Sequence, residues 1–516
     1  MKRLLLYSVL LVWSAGLALA ASGHTAQWWV WRATDGGSDN YGGGYDSGIS
    51  GATTNYANQS APQVVFSSGN SNLLSISSGS TTMTSAGTPF LSAHLGNTIR
   101  LTGTVACADT FWITTVTDSS NITVDHSPAS TCTSVTGNLG GALATLRDLC
   151  SSGTLPSNLL ATTTLLVAGN TVNVRGNGGN PDFDFSAGYW IFPSGNATYG
   201  PIKFLGVNTR PVVKFSGMFD HNASFHIIEN FQFNAMTSPT FLVYGVYGTV
   251  DHSVLYNAII DVNGQDLVVI AGQAGSGSAN KYSNIEIKNS GSTSGTGATH
   301  PTIGAPSGAW VGYSNVFENI YIHDVRSIAI EVAASFGAVL TNILVTNCHS
   351  ATASVVFDAS TTTYSSVVRN LTIDGGLGDG IQITSASALW SLDMRNVIVS
   401  NDSQSGKYGI NVTSGSAAAN DPLVQGRIDY NNLYGNATAY HNISAGTHDL
   451  AIDPQYAGAV SSGTGNYAVG TNVKGAGFPF GYGVGSITTV TKVDMGAAQR
   501  VESGGASGTI THPIGN

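Results

Sequence analysis

From residue 228 onward one short phrase keeps returning: a polar residue, usually Asn, then apolar-x-apolar, then Asn, Asp or Gly. It reads Asn230-Phe-Gln-Phe-Asn-Ala, Ser253-Val-Leu-Tyr-Asn-Ala, Asn284-Ile-Glu-Ile-Lys-Asn and Asn319-Ile-Tyr-Ile-His-Asp. It continues as Asn342-Ile-Leu-Val-Thr-Asn, Asn370-Leu-Thr-Ile-Asp-Gly and Asn396-Val-Ile-Val-Ser-Asn. The steps between lead residues are 23, 31, 35, 23, 28 and 26. A fixed phrase at a varying step describes coils of one kind joined by loops of unequal length.

Each phrase alternates with period two, which is the signature of a strand. Ile285/Ile287, Ile320/Ile322, Ile343/Val345, Leu371/Ile373 and Val397/Val399 then share one face and point inward. A second strand follows in several coils, as in Ile328-Ala-Ile-Glu-Val, Ser354-Val-Val-Phe, Gly380-Ile-Gln-Ile-Thr and Gly409-Ile-Asn-Val-Thr. One strand pair per coil cannot bury its own apolar face, whereas stacked coils bury it together with parallel strands about 4.8 Å apart. The expected fold is all-β: a right-handed parallel β-helix solenoid with a small N-terminal β module and a short capping helix.

The coils are expected to begin with Ala168–Gly176 and Gly200–Val207, and Gly426–Asn436 reads as the last full coil. Leu143, Leu146 and Cys150 fall on one side of a helix over 140–150, which would cover the open end of the first coil. Before it, Asn97-Thr-Ile-Arg-Leu-Thr-Gly, Phe111-Trp-Ile-Thr-Thr-Val-Thr and Asn121-Ile-Thr-Val-Asp alternate cleanly and read as an antiparallel module. The division is therefore 1–20 signal peptide, 21–139 β module, 140–455 capping helix and β-helix, and 456–516 closing segment with a disordered Gly/Ser-rich tail.

Lys2 and Arg3, the apolar run from Leu4, and Ala18-Leu19-Ala20 form a secretory signal with cleavage after Ala20. The expected location is extracellular or on the cell surface, with no membrane insertion after cleavage. Four cysteines are too few for a disulfide scaffold, but an oxidising compartment favours one bridge, Cys107–Cys132, across the β-meander. Cys348 reads as a buried rung residue. Only 9% of residues are charged, with 19 Lys+Arg against 29 Asp+Glu, so the chain has no basic field for nucleic acid.

Asn442-Ile-Ser with Asp449-Leu-Ala-Ile-Asp-Pro-Gln-Tyr, and Lys492-Val-Asp-Met-Gly-Ala-Ala-Gln, resemble the "DPxF" and "DIGAxE" closing phrases of exported bacterial right-handed β-helix repeat proteins. Many of those carry a surface anchor after the second phrase. Gln499 stands here where an acidic residue is usual. The family's motifs are structural and imply no single activity.

Stacking turns equivalent positions into columns. Position two of the phrase faces outward and reads Gln232, Glu286, Tyr321, Leu344, Thr372 and Ile398. Position four reads Asn234, Lys288, His323, Thr346, Asp374 and Ser400. Together they form a mixed polar and aromatic strip that suits an extended glycan, with Glu286, Lys288, Tyr321, His323 and Asp374 as the contact candidates. Lys288 and His323 would be on adjacent coils, and His323 and Asp374 two coils apart, roughly 10 Å. Position five, Asn289, Asp324, Asn347, Gly375 and Asn401, reads as a ladder of corner residues that tolerate left-handed backbone.

A second cluster is the repeated dipeptide Asp220-His221 and Asp251-His252, with His226 and Glu229 nearby, which could bind a metal or pair as acid and base. Their places in the phrase differ, so stacking is not required. Asp182-Phe-Asp184 could bind calcium, but a surface loop is the better account, and no cofactor is called for. The Asn-Thr-Asp, paired-aspartate, Gly-His-Gly and Arg-x-Lys signatures of polygalacturonase-like enzymes are absent. The acidic set Asp374, Asp379 and Asp393 with Arg395 is too sparse for a pectate-lyase-like calcium site. The expected function is non-catalytic binding of polysaccharide or a cell-surface glycan. The alternatives are a polysaccharide lyase or glycoside hydrolase using Lys288, His323 or Asp374, and a phage-fibre-like structural protein.

Overall fold

The computed structural model describes residues 26–146, 149, 166–179, 182–185, 193–215, 224–235, 253–266, 269–270, 280–291, 302–303, 315–333, 338–358, 366–385, 392–415, 427–458, 467–478 and 494–497. Apart from short 3-10 turns, the regular elements among these residues are all β. The chain divides into two compact units, 1–176 with 192–209 and 177–191 with 210–516. The boundary expected at 139/140 thus falls inside the first unit.

In the first unit, eight short strands from Val64–Phe66 to Gly137–Leu139 pair antiparallel. Their alternation puts Phe66, Leu74, Ile99, Phe111, Ile113 and Ile122 into one core. Cys107 and Cys132 are joined by a disulfide at its edge. The segment Gln27–Val30 does not belong to this module. It pairs parallel with Thr171–Gly176, which pairs parallel with Ile202–Asn208. Trp28 and Val30 are fully buried there, and Trp28 Nε1 donates to Asn170 Oδ1 at 3.1 Å.

The helix expected over 140–150 is absent from its described part, 140–146. Gly140 and Gly141 take positive φ, and Leu143 makes a parallel bridge to Val30. The three-residue spacing of Leu143, Leu146 and Leu149 still buries all three. Two successive left-handed glycines are incompatible with a helix start, so extended pairing prevails.

In the second unit the phrases stack as parallel rungs. Ile285, Ile320, Ile343 and Leu371 fall in register, as do Ile287, Ile322, Val345 and Ile373. All eight are buried to 1% exposure or less. Each long strand contains more than the phrase: Asn315–Val325, Ala338–Cys348 and Ser366–Gly376 run on both sides of their Asn. Phe317, Leu340 and Val368 point inward before it and Ile320, Ile343 and Leu371 after it. Two consecutive inward runs need a break in alternation, and the Asn supplies it by adopting left-handed backbone.

One phrase was placed a half-strand too early. The residue that aligns with Asn284 is Asn257 (φ 51°), because Ala258 pairs with Ile285; Ser253 belongs to the preceding run. Asn230, Asn257, Asn284, Asn319, Asn342, Asn370 and Asn396 all have φ between 51° and 63°. Their amides bond from coil to coil: Asn257 to Asn230 at 3.2 Å, Asn319 to Asn284 at 3.0 Å, Asn342 to Asn319 at 3.0 Å and Asn370 to Asn342 at 2.9 Å. Asn319, Asn342 and Asn370 each give one such bond and take one, Asn370 from Asn396 at 3.2 Å, so this stretch of the column satisfies itself. The corner residues Asn289, Asp324, Asn347, Gly375 and Asn401 form a second left-handed column.

A separate five-stranded parallel sheet stacks the second strand of each coil: Ile330–Ala333, Ala353–Asp358, Asp379–Ile383, Tyr408–Val412 and Thr438–His441. Polar side chains interrupt the apolar filling, Cys348 and Asp402 among them. Cys348 is a free, buried thiol in register with Val325 and Gly376. Asp402 is fully buried, with Oδ1 accepting from Gly376 N and Oδ2 lacking a hydrogen-bond partner among the described residues. Gly376 makes room for it, since a Cβ there would stand 2.6 Å from Asp402 Oδ1.

Candidate ligand-binding face

The outward residues of the rungs fall into the expected columns. Gln232, Ile259, Glu286, Tyr321, Leu344, Thr372, Ile398 and Asn432 align in one. Asn234, Asp261, Lys288, His323, Thr346, Asp374, Ser400 and Tyr434 align in the other. Strand alternation alone turns both away from the core.

Four of the five strip candidates meet. His323 Nε2 lies 3.0 Å from Glu286 Oε1, and Lys288 Nζ lies 3.5 Å from the same oxygen. The Tyr321 ring stacks on His323 with centroids 4.4 Å apart, and its hydroxyl reaches Thr346 Oγ1 at 3.4 Å. Asp324 supplies a contact that its corner position did not announce: Oδ2 stands 2.7 Å from His323 Nδ1. Both ring nitrogens of His323 therefore face carboxylates.

Burial opposes charge on the His323 imidazole, but the bonds to Glu286 and Asp324 outweigh it and its pKa is raised. Burial likewise opposes the Glu286 carboxylate, yet the His323 bond and the Lys288 charge hold its pKa below the ordinary value. Burial pushes the Tyr321 phenol up to about 12, with the charges of Asp324 and Glu286 adding to it. His323 is clamped between two carboxylates, which favour its charged form. Glu286 is held as an acceptor, and His323 has no ring nitrogen left over for proton transfer.

Arg210 was not foreseen. Its guanidinium reaches across the Asn column, with Nε 3.3 Å from Asn230 Oδ1 and a terminal nitrogen 3.1 Å from Asn257 Oδ1, and its charge is felt at Glu286. Arg210, Lys288 and His323 balance Asp261, Glu286 and Asp324 in formal charge.

Asp374 does not belong with the other four. Its Oδ1 accepts from Ser400 Oγ at 2.7 Å and Asn401 Nδ2 at 2.6 Å, and its Oδ2 accepts from the Tyr467 hydroxyl at 3.2 Å. The closing segment runs over the columns at this end. Val469, Val473 and Met495 bury the outward Ile398, Ala497 N donates to Thr372 Oγ1 at 2.8 Å, and Phe478 N donates to Asn396 Oδ1 at 2.6 Å. Leu344, Thr372, Ile398 and Ser400 are buried, whereas Gln232, Asn234, Asp261, Glu286, Lys288 and Tyr321 remain half-exposed. The continuous accessible part of the strip is thus Gln232 to Tyr321, while Asp374 and Tyr434 are half-exposed among the covered rungs beyond it.

Asp220, His221, Asp251 and His252 lie outside the described residues. Their neighbour His226 is fully buried, with its backbone N donating to Ser253 Oγ at 3.1 Å. Asp182 is occupied by backbone amides: Oδ1 accepts from Gly179 N at 3.0 Å and Oδ2 from Val212 N at 2.9 Å. These bonds make it a fastener of its loop, not an open calcium ligand. Among the described residues, no three His, Cys, Asp or Glu side chains converge as metal ligands would.

No family model matches the chain, and no curated protein matches it. Among solved structures it is similar to the catalytic domain of a GH87 alpha-1,3-glucanase in complex with tetrasaccharides, at 12% identity, covering 73% of this chain and 84% of that one, TM-score 0.27. It is also similar to a tailspike protein from Pseudomonas phage LKA1, at 10% identity, covering 79% of this chain and 67% of that one, TM-score 0.19. The fold assignment rests on the strand register described above.

Proposed function

We propose that this is an exported, right-handed parallel β-helix protein that binds a polysaccharide or cell-surface glycan along the strip from Gln232 to Tyr321, without catalysis. The right-handed winding follows the general preference of parallel crossover connections. The leader-like segment at 1–20 supports export, and the closing phrases around Asp453-Pro454 and Asp494-Met495-Gly496 resemble those of exported bacterial β-helix repeat proteins.

The observation that carries the binding reading is the clamp on His323. A general acid or base needs an accessible atom and a pKa near the working pH. Glu286 and His323 are shifted in opposite directions, each toward its charged form, and satisfy each other. Around this pair the half-exposed Gln232, Asn234, Asp261, Lys288 and Tyr321 present donors and acceptors to solvent on rungs about 4.8 Å apart. Balanced charge suits a neutral or weakly acidic glycan better than a polyanion.

Affinity electrophoresis of the purified protein through gels containing bacterial and plant polysaccharides tests this. Retardation by at least one polymer, weakened about tenfold by Tyr321→Ala, is the expected result, since loss of one packed aromatic contact is worth about 1 kcal/mol or somewhat more. Failure to bind any polymer overturns the binding reading. Release of reducing or unsaturated sugars, abolished by His323→Ala, replaces it with an enzymatic one.

A further inference from the structure

The second sheet carries a chain of hydrogen bonds that leads outward from the interior. Asp379, Asn411 and His441 come from its last three strands. Asp379 is 4% exposed, and its Oδ1 accepts from Tyr408 N at 3.0 Å. Its Oδ2 lies 2.6 Å from Asn411 Nδ2, and Asn411 Oδ1 lies 2.9 Å from His441 Nδ1.

The polarity of this chain follows from its inner end. A carboxylate only accepts, so Asn411 must turn its NH2 toward Asp379. Its carbonyl oxygen then faces the imidazole and can only accept, so His441 Nδ1 carries the hydrogen. In the neutral ring the lone pair is left on Nε2. The Tyr408 ring, stacked at 4.3 Å and 18° from coplanar, fixes the plane of the imidazole. His441 is half-exposed, and among the described residues Nε2 has no protein partner. Neither Asp379 nor Asn411, both buried, gains anything from bulk water, so the relay fixes the tautomer independently of solvent.

We propose that His441 Nε2 is a ligand contact, accepting a hydrogen bond from a hydroxyl group of a carbohydrate chain that lies across the second sheet. The same outward column carries half-exposed Gln382 and Glu331, which offer further donors and acceptors on earlier coils. The choice of a carbohydrate rests on the polysaccharide reading above; the exposed acceptor does not.

Nitrogen-15 NMR of histidine-labelled protein at neutral pH, with and without dextran or polygalacturonate, tests the proposal. Wild type is expected to show His441 with hydrogen on Nδ1 and none on Nε2. Asp379→Asn should reverse the relay: Tyr408 N keeps the oxygen of the new amide, its NH2 turns Asn411 around, and hydrogen moves to His441 Nε2. Addition of one of the two polysaccharides should move the wild-type Nε2 resonance, and His441→Phe, which keeps the stacking on Tyr408, should weaken that binding several-fold. Hydrogen on Nε2 in wild type, or a resonance unmoved by both polymers, overturns the proposal. His323 is read in the same spectra, so a shift there alone rejects this inference and spares the strip, and a shift at His441 alone does the reverse.

Discussion

Glu286 and His323 come from neighbouring coils, 37 residues apart, and their side chains meet at 3.0 Å. Lys288 on one side and Asp324 on the other complete a row of alternating charges across the rungs. The row exists because strand alternation puts positions two and four on one face, and parallel register brings Glu286 diagonally within reach of His323.

Glu286→Gln should lower stability by about 1–2 kcal/mol near pH 6, between the values for exposed and fully buried pairs. His323 has a folded pKa above 6.5, so its contribution is complete below that pH and fades as pH rises through the raised value. Glu286 has a folded pKa below 4.5, so its contribution is complete above that pH and fades as pH falls through the lowered value. The difference between wild type and variant in urea titrations should therefore be largest between about pH 4.5 and 6.5. A difference independent of pH from 4 to 9 would show that the pair contributes nothing electrostatic.

Asp402→Asn should flatten the pH dependence of unfolding. Burial raises the Asp402 pKa from 3.8 to about 7, with the Gly376 N–H opposing and the charges of Asp374 and Asp379 adding. A raised carboxyl gives its full stability below pH 4 and loses it progressively up to and past pH 7, on the order of 4 kcal/mol in all. Parallel pH curves for wild type and variant would refute this.

Asn342→Ala removes the bond given to Asn319, the bond taken from Asn370 and the residue type that tolerates φ 55°. The expected cost is about 2–4 kcal/mol. Asn342→Gly restores the backbone freedom but not the bonds, and should recover about 1 kcal/mol of it. Equal midpoints for all three proteins in chemical denaturation would contradict the ladder's role.

Cys107 and Cys132 close a loop across 25 residues of the antiparallel module. Replacing both by Ser should cost that module about 3 kcal/mol through the freer unfolded chain. Hydrogen exchange should register the loss in the strands flanked by the bridge, Thr110–Val116 and Asn121–Val124, and leave the rungs from Lys281 to Gly376 unchanged.

The rungs were legible because Ile320/Ile322 and Ile343/Val345 repeat a pattern that only stacking can bury. Ser253 was misplaced because each coil has two alternating runs around its Asn, and Ser-Val-Leu-Tyr-Asn satisfies the phrase in the wrong one. The helix at 140–150 failed because a three-residue leucine spacing can bury three side chains from irregular chain as well as from a helix. Column membership of Glu286 and His323 could be read, but not their contact, which depends on loops of unequal length between coils. Asp374 stands apart from the other four for a longer-range reason: its partner Tyr467 lies 93 residues downstream, in a segment whose path no local pattern specifies.

The Asn column also explains why connections as short as 23 and as long as 35 residues coexist in one stack. From Asn319 to Asn396 each turn restarts its count at a left-handed amide docked on the one before. A loop can therefore lengthen or shrink by any number of residues without passing its error on to the next layer. The scaffold resets its phase at each floor, leaving the connections free to diversify while the wall they hang from stays in step.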